Sequence, residues 1–279
     1  MKNIFFENKI LLNSARNCLK YILRSYKIAE IHLPYYICPV VRQAVHEENV
    51  KMKFYHIDKN FLPTIEFSPD DFILYPDYFG LCDEQADFMA KKYKNLILDN
   101  AHAFFAKTKG IATFSSPRKI FKVNDGGVLE IQKKLSDIFE QDKDRKLEIK
   151  DFYSFCQNEI SIDNEPMKIM SEKTQNSLKN IDFDKKMDKN RKIFMKIAQK
   201  LQKSNTLQLN LSENSVPMCY PFLPNNFSEE EKLAQMLEQR GIYLIKYGSN
   251  LPQTYEEYDF TKILMIPLTT KTSEFFDEI

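Results

Sequence analysis

The stretch that most constrains this chain is residues 96–127. There a short apolar run ends on an acid, and a lysine follows twenty residues later between serines and a glycine pair. Leu96, Ile97 and Leu98 form an uninterrupted apolar segment of the kind that fills the middle of a parallel sheet. Asp99 is therefore expected at the strand's carboxyl end, where such sheets hold their ligands. A carboxylate in that place invites a cationic partner. Lys119 follows in Phe114-Ser115-Ser116-Pro117-Arg118-Lys119, with Asp125-Gly126-Gly127 beyond it. The chain has only six glycines, so two adjacent ones mark a place where the backbone needs a turn or close approach.

These pieces carry the chemistry of a pyridoxal phosphate (PLP) site. The ring nitrogen of PLP is an effective electron sink only while protonated, and a fixed anion such as Asp99 keeps it so. The cofactor aldehyde needs a lysine amine, which Lys119 offers, and the hydroxyls of Ser115 and Ser116 just upstream can hold the phosphate. Taken singly, each feature has an ordinary explanation: a turn-forming acid, a solvated lysine, a hairpin glycine pair. Their conjunction in this order argues for the site.

Asp99-Asn100-Ala101-His102 resembles the D-x-A-H/Q motif of the DegT/DnrJ/StrS sugar aminotransferases, and Ser116 through Gly127 resembles their S-x-x-K-x-x-x-x-x-E/D-G-G. The resemblance implies an α/β, fold-type I PLP-dependent transferase: a large lobe with a mostly parallel sheet, then a smaller α+β C-terminal lobe. It implies a nucleotide-linked keto-sugar as amino acceptor in surface polysaccharide or related sugar biosynthesis. It also implies glutamate as donor and a homodimer with the site at the subunit interface. Sugar dehydratases on this fold usually lack the lysine, so Lys119 counts against that reading.

Further motifs follow the same pattern. Asn13-Ser14-Ala15-Arg16 resembles the S-G-T/R turn that holds the cofactor phosphate at a helix amino end, with alanine here in place of glycine. Pro34-Tyr35-Tyr36 resembles P-x-Y, near which an aromatic ring covers the cofactor; Tyr36 is the candidate, or Cys38 on an alignment shifted by one or two residues. His102 is implied to contact the cofactor ring or its phenolic oxygen. Asp77-Tyr78-Phe79-Gly80 resembles N-x-F/Y-G, with Tyr78 a candidate pocket residue, and Leu264-Met265-Ile266-Pro267 resembles a late L-x-I/L-P. The site residues expected are thus Lys119 and Asp99 for catalysis, with His102, Ser116, Ser115, Ser14, Ala15, Arg16 and Tyr36 holding the cofactor. Arg118, Lys122 and Lys246 are candidates for an anionic substrate. The chain departs from the pattern in the Pro-Arg before Lys119 and in a shortened section between about 135 and 215, where members gather substrate and dimer contacts. A PLP enzyme with a non-sugar substrate and a non-catalytic homologue that binds a partner stay open.

Composition bounds the rest. Hydrophobic content of 43% is ample for a core, and a net charge of +1 with intermixed signs gives no field for nucleic acid or a membrane surface. No apolar run approaches the roughly 18 residues that span a bilayer, and charges break the start before a signal-peptide core can form; a cytoplasmic protein is expected. Five cysteines without CxxC spacing and four scattered histidines suggest reduced thiols and no metal site. Apolar periodicity predicts helices over 11–25, 40–47, 84–94, 192–201 and 228–240, and strands over 29–33, 50–57, 72–75, 96–98, 128–131, 218–223, 242–247 and 263–266. Ser14 or Asn13 is expected to cap the first helix, Ser228 the last, with Gly241 as the last helix's stop. The organisation expected is a PLP-binding lobe over 1–150, a charged helical section over 151–215 and a small lobe over 216–279.

Overall fold

The computed structural model describes residues 6–143, 165–207, 210–225, 227–247 and 263–278; Cys156 and the expected boundary at residue 150 lie outside them. In chain order the first part runs β1 (Ile10–Leu12), α1 (Ala15–Tyr26), β2 (Glu30–Pro34), α2 (Pro39–Glu47), β3 (Lys51–Tyr55), β4 (Ile73–Pro76), α3 (Asp83–Lys92), β5 (Leu96–Asp99), β6 (Ala112–Ser115) and β7 (Gly127–Ile131). The second part runs α4 (Glu172–Lys179), α5 (Phe183–Leu201), β8 (Cys219–Phe222), α6 (Phe227–Gln239), β9 (Ile245–Lys246), β10 (Leu264–Pro267) and α7 (Thr270–Glu278).

β1 to β7 make one sheet in the order β1-β7-β6-β5-β4-β2-β3, and β8 to β10 make a second, antiparallel one in the order β8-β10-β9. β2 to β6 are mutually parallel, while β7 runs antiparallel to both β6 and β1. The α/β architecture expected from the alternation of apolar runs and helical faces is the one observed. Central strands β4 and β5 are buried on both faces, which is why they read as continuous apolar runs rather than alternating ones.

Several boundaries differ from the sequence expectation. Leu11 and Leu12 belong to β1 and not to the first helix, because they pair with Val128 and Gly127 of β7. Ser14 sits in extended backbone at φ −157° and ψ 158°, and its side chain accepts from the Asn17 N–H, so α1 cannot begin earlier. α6 begins at Phe227, which places Ser228 inside its first turn and not at the cap. Gly241 does stop it, at φ 62°, with its N–H on the Glu238 carbonyl and the Ile242 N–H on the Leu237 carbonyl. Within 242–247 only Ile245 and Lys246 pair as strand.

Two cores flank the large sheet. On one side Leu19, Ile22 and Leu23 of α1 pack with Val41, Ala44 and Val45 of α2 against Ile31, Leu33, Leu74, Ile97 and Phe114. On the other, Tyr55, Ile73, Tyr75, Leu96 and Leu98 share a single cluster with Phe194 and Ile197 of α5, Tyr220 and Phe222 of β8, Ile266 of β10 and Phe276 of α7. The small sheet therefore closes the second face of the large one. Each large side chain fully buried in this cluster contributes about 1.5–3 kcal/mol, which binds the two sheets into one packed body. No helix among the described residues is long and apolar enough to cross a membrane.

Candidate active site

β1 and the parallel strands end at one edge of the large sheet, and β7 starts from that same edge. It gathers Ser14 after β1, Tyr36 after β2, Asp77 after β4, Asp99 at the tip of β5, Ser115 at the tip of β6 with Ser116 after it, and Gly126-Gly127 entering β7. This is the carboxyl edge, where a crevice forms beside strands whose connections diverge.

Asp99 is buried, and its Oδ1 accepts the Ala101 N–H at 2.9 Å. Burial pushes its carboxyl pKa up, while the nearby charge of Lys119 and the Ala101 N–H pull it down. Among the described residues no other hydrogen bond reaches this carboxylate. Cys18, one turn into α1, lies close enough that the Asp99 charge adds to the upward push of burial on its thiol.

Lys119 ends a short 3-10 turn, Pro117–Lys119, with Ser116 at its cap position. The Phe121 N–H returns to the Pro117 carbonyl at 2.8 Å, so the proline fixes the entry and the turn presents the lysine half-buried. Ser115 and Ser116 are both buried beside it. Arg118 is only 5% exposed, so it is not a solvated cation at a pocket mouth, whereas Lys122 and Lys246 are exposed.

From there the chain returns to the start of α1. The Gly126 N–H donates to the Asn13 carbonyl, Gly126 bridges Ser14, and a Cβ on Gly127 would overlap the Ser14 carbonyl and sit 2.6 Å from the Ala15 nitrogen. The glycine at 127 is needed for space, since those neighbours are backbone atoms that cannot turn aside. Asp125 faces elsewhere. Its buried carboxylate accepts from the Ser171 N–H and Oγ, both at 2.7 Å, and from Thr174 Oγ1, so it anchors Ser171, the residue whose Oγ caps α4 by accepting the Thr174 N–H. Ser14 caps α1 at this point, Ala15 is half-buried and Arg16 is buried.

His102 is 6% exposed, and burial with the charge of Lys119 holds its pKa well below the usual histidine range. It is neutral at physiological pH. The Phe79 N–H donates to its Nδ1 at 3.3 Å, the Phe79 ring lies nearly parallel at 5.9 Å between centroids, and the Tyr247 ring meets it edge-on at 5.2 Å. Neither Phe79 nor Tyr247 stood out as a site residue in the sequence. Tyr36, the ring expected to cover the cofactor, is fully buried against Tyr78 and Tyr247, and Tyr247 stands between it and His102. Tyr78 is also fully buried, its hydroxyl donating to the Tyr36 carbonyl.

These residues suit PLP. A buried carboxylate raised by burial gains most from a protonated ring nitrogen, the half-buried lysine is the amine the aldehyde needs, and the hydroxyl-capped start of α1 with Ser116 offers donors to a phosphate. Among the described residues there is no group of three His, Cys, Asp or Glu that could hold a metal ion.

Asp77, at the neighbouring strand end, is fully buried, and burial raises its carboxyl pKa to about 7 against the downward pull of the Cys82 N–H, which donates to Oδ1 at 2.8 Å. Because the folded pKa exceeds the ordinary value of 3.8, this group's stabilising contribution is complete below pH about 3.8 and is lost as pH rises through about 7. Asp77→Asn keeps the acceptor and cannot ionise. It is expected to gain stability over the wild type between about pH 5 and 8, by roughly 2–4 kcal/mol. Urea denaturation of both proteins across that range checks this; a difference that does not change with pH refutes it.

The sequence matches no protein-family model and no curated protein. Solved structures do match. A putative sugar aminotransferase, Spr1654 of Streptococcus pneumoniae in its PMP form, is similar with a TM-score of 0.68 at 16% identity, over 99% of this chain and 85% of that one. A DegT DnrJ EryC1 StrS aminotransferase of Brucella abortus is similar with a TM-score of 0.61 at 13% identity, over 98% and 85%. Helicobacter pylori PseC, an aminotransferase involved in the biosynthesis of pseudoaminic acid, is similar with a TM-score of 0.60 at 13% identity, over 97% and 87%. At these identities the likeness speaks for architecture, and on it the chain has the fold of the PLP-dependent, fold-type I DegT/DnrJ/EryC1/StrS aminotransferases.

Proposed function

We propose that the chain is a PLP-dependent aminotransferase that uses glutamate as amino donor and a nucleotide-linked keto-sugar as acceptor, working as a cytoplasmic homodimer. The observation that carries the reading is the meeting of Asp99 and His102 with Lys119 at one buried sheet edge, where the lysine charge acts on both. When bound, PLP supplies an aldehyde for amines and a ring that takes up the electron pair left at the substrate carbon. Asp99 would hold a proton on the ring nitrogen, and its burial would strengthen that pairing. Lys119 Nζ would be the amine that holds the cofactor, and the group that would take up the substrate's Cα proton and give it back. Ser14, Ser116 and the first amides of α1 hold the phosphate, and Ala15 and Arg16 lie in the same turn. The aromatic cluster of Tyr36, Tyr78, Phe79 and Tyr247 keeps water from the ring.

The sugar assignment is supported by the likeness to Spr1654 and PseC, one a putative sugar aminotransferase and the other an aminotransferase involved in the biosynthesis of pseudoaminic acid. A sugar nucleotide is anionic, and the exposed Lys122 and Lys246 are the cations proposed to meet it. The expected result is that a keto-hexose on dTDP or UDP converts the amino form of the cofactor back to the aldehyde form in a stopped-flow half-reaction. Simple 2-oxo acids, other than the one derived from the donor, are expected not to. Reaction with free keto acids alone refutes the sugar acceptor and leaves the aminotransferase; no reaction in PLP-loaded protein refutes the enzyme.

A further inference from the structure

The backbone at Phe79 is unusual for its residue type. Phe79 has φ 60° and ψ 3°, and Gly80 follows at φ 74°, so two successive residues occupy the left-handed region. A phenylalanine held there costs about 1–3 kcal/mol and persists only where its surroundings determine it. Three contacts do so. The Phe79 N–H donates to His102 Nδ1 at 3.3 Å, and the Phe79 carbonyl accepts the Met218 N–H at 2.9 Å. A Cβ on Gly80 would come within 2.6 Å of the Val216 carbonyl oxygen and 2.9 Å of that of His102. The turn is clamped between the β5 loop that carries His102 and the segment leading into β8.

We propose that the Phe79-Gly80 turn is a positioning element for His102, fixing the imidazole as the tautomer with its proton on Nε2 so that it serves the site as a hydrogen-bond donor. A neutral imidazole has one donor and one acceptor nitrogen, and an Nδ1 that accepts from a backbone N–H leaves the proton on Nε2. Protonating Nδ1 would set two N–H groups against each other. Of the titratable groups near the ring, Lys119 repels a cation there, and the Tyr247 ring lies edge-on to it without offering an anion. The clamped turn, through the fixed Phe79 N–H, thus keeps His102 as a neutral donor where an ordinary loop would let it rotate or charge. The ligand that receives the Nε2 proton is an oxyanion acceptor on the group held by Asp99 and Lys119, and this part rests on the PLP reading above.

The test needs no cofactor. Long-range ¹H–¹⁵N correlation spectra of labelled, cofactor-free protein report the protonation of each ring nitrogen, and His102 is the signal lost in His102→Gln. Its pattern is expected to be that of the Nε2–H tautomer alone, with protonation only well below the usual histidine range. Phe79→Gly retains the donor and relaxes the strain, so the pattern is expected to persist. Gly80→Ala pushes the turn off its two carbonyl neighbours; in a variant shown by circular dichroism to be folded, mixed tautomers or a titration midpoint moving toward 6.5 is expected. An Nδ1–H form in the wild type, a changed pattern in Phe79→Gly, or an unchanged one in folded Gly80→Ala overturns the proposal. If Gly80→Ala does not fold, the wild-type and Phe79→Gly spectra decide. Failure of the PLP reading shows separately, as absence of cofactor on Lys119.

Discussion

Lys119→Ala is expected to remove covalent cofactor binding and to lower transamination by at least about 10³-fold, about 4 kcal/mol in the barrier. The alanine cannot condense with an aldehyde, and no second amine is placed by the Pro117–Lys119 turn to replace it. Borohydride reduction of PLP-treated wild type, followed by peptide mapping, should label Lys119 alone. Labelling of another lysine, or none with PLP present, removes the basis of the assignment. The substitution is expected to leave the fold intact, because Lys119 is half-buried and its backbone, not its side chain, closes the turn.

Asp99→Asn separates function from stability. The amide keeps the shape and an acceptor for the Ala101 N–H but no longer favours a protonated ring nitrogen, so activity should fall by about 10³-fold. In cofactor-free protein the same change is expected to stabilise. Burial raises the folded pKa of Asp99 above its ordinary value, so its contribution is favourable below pH about 3.8 and lost as pH rises through the raised value. An uncharged replacement avoids that loss. Thermal melts near pH 7.5 should place the variant at or above the wild type, with the gap closing in acid. Activity within about tenfold of wild type, a loss of roughly 1.4 kcal/mol or less, rules out the role assigned to the carboxylate.

How much of this could be read from the chain alone depended on where the determining contact lay. β2 to β5 were legible because their apolar runs end in turn-forming residues, and Asp99 because it interrupts such a run. β6 was not, since Ala112-Thr113-Phe114-Ser115 has one large apolar residue and its burial comes from Leu98 and Leu129 on either side. β1 was hidden because Leu11 and Leu12 happen to continue the helical spacing of α1. Phe79 and Tyr247 could not be found as a pair: they lie far apart in sequence and meet only at His102, although the Asp77-Tyr78-Phe79-Gly80 turn was itself visible. The carboxylate of Asp125 is spoken for by partners 46 and 49 residues away, which no local motif reports.

Asp125, Gly126 and Gly127 answer to three different parts of the molecule: the cap of α4, the Asn13 carbonyl and the backbone at Ser14. A string of letters that reads as a ligand signature is here a three-way joint in the scaffold. Anyone grafting this lysine loop into another protein would have to carry the first turns of α1 and α4 with it. Without them, the segment that brings the chain from Lys119 back to Ser14 has nothing to fasten to.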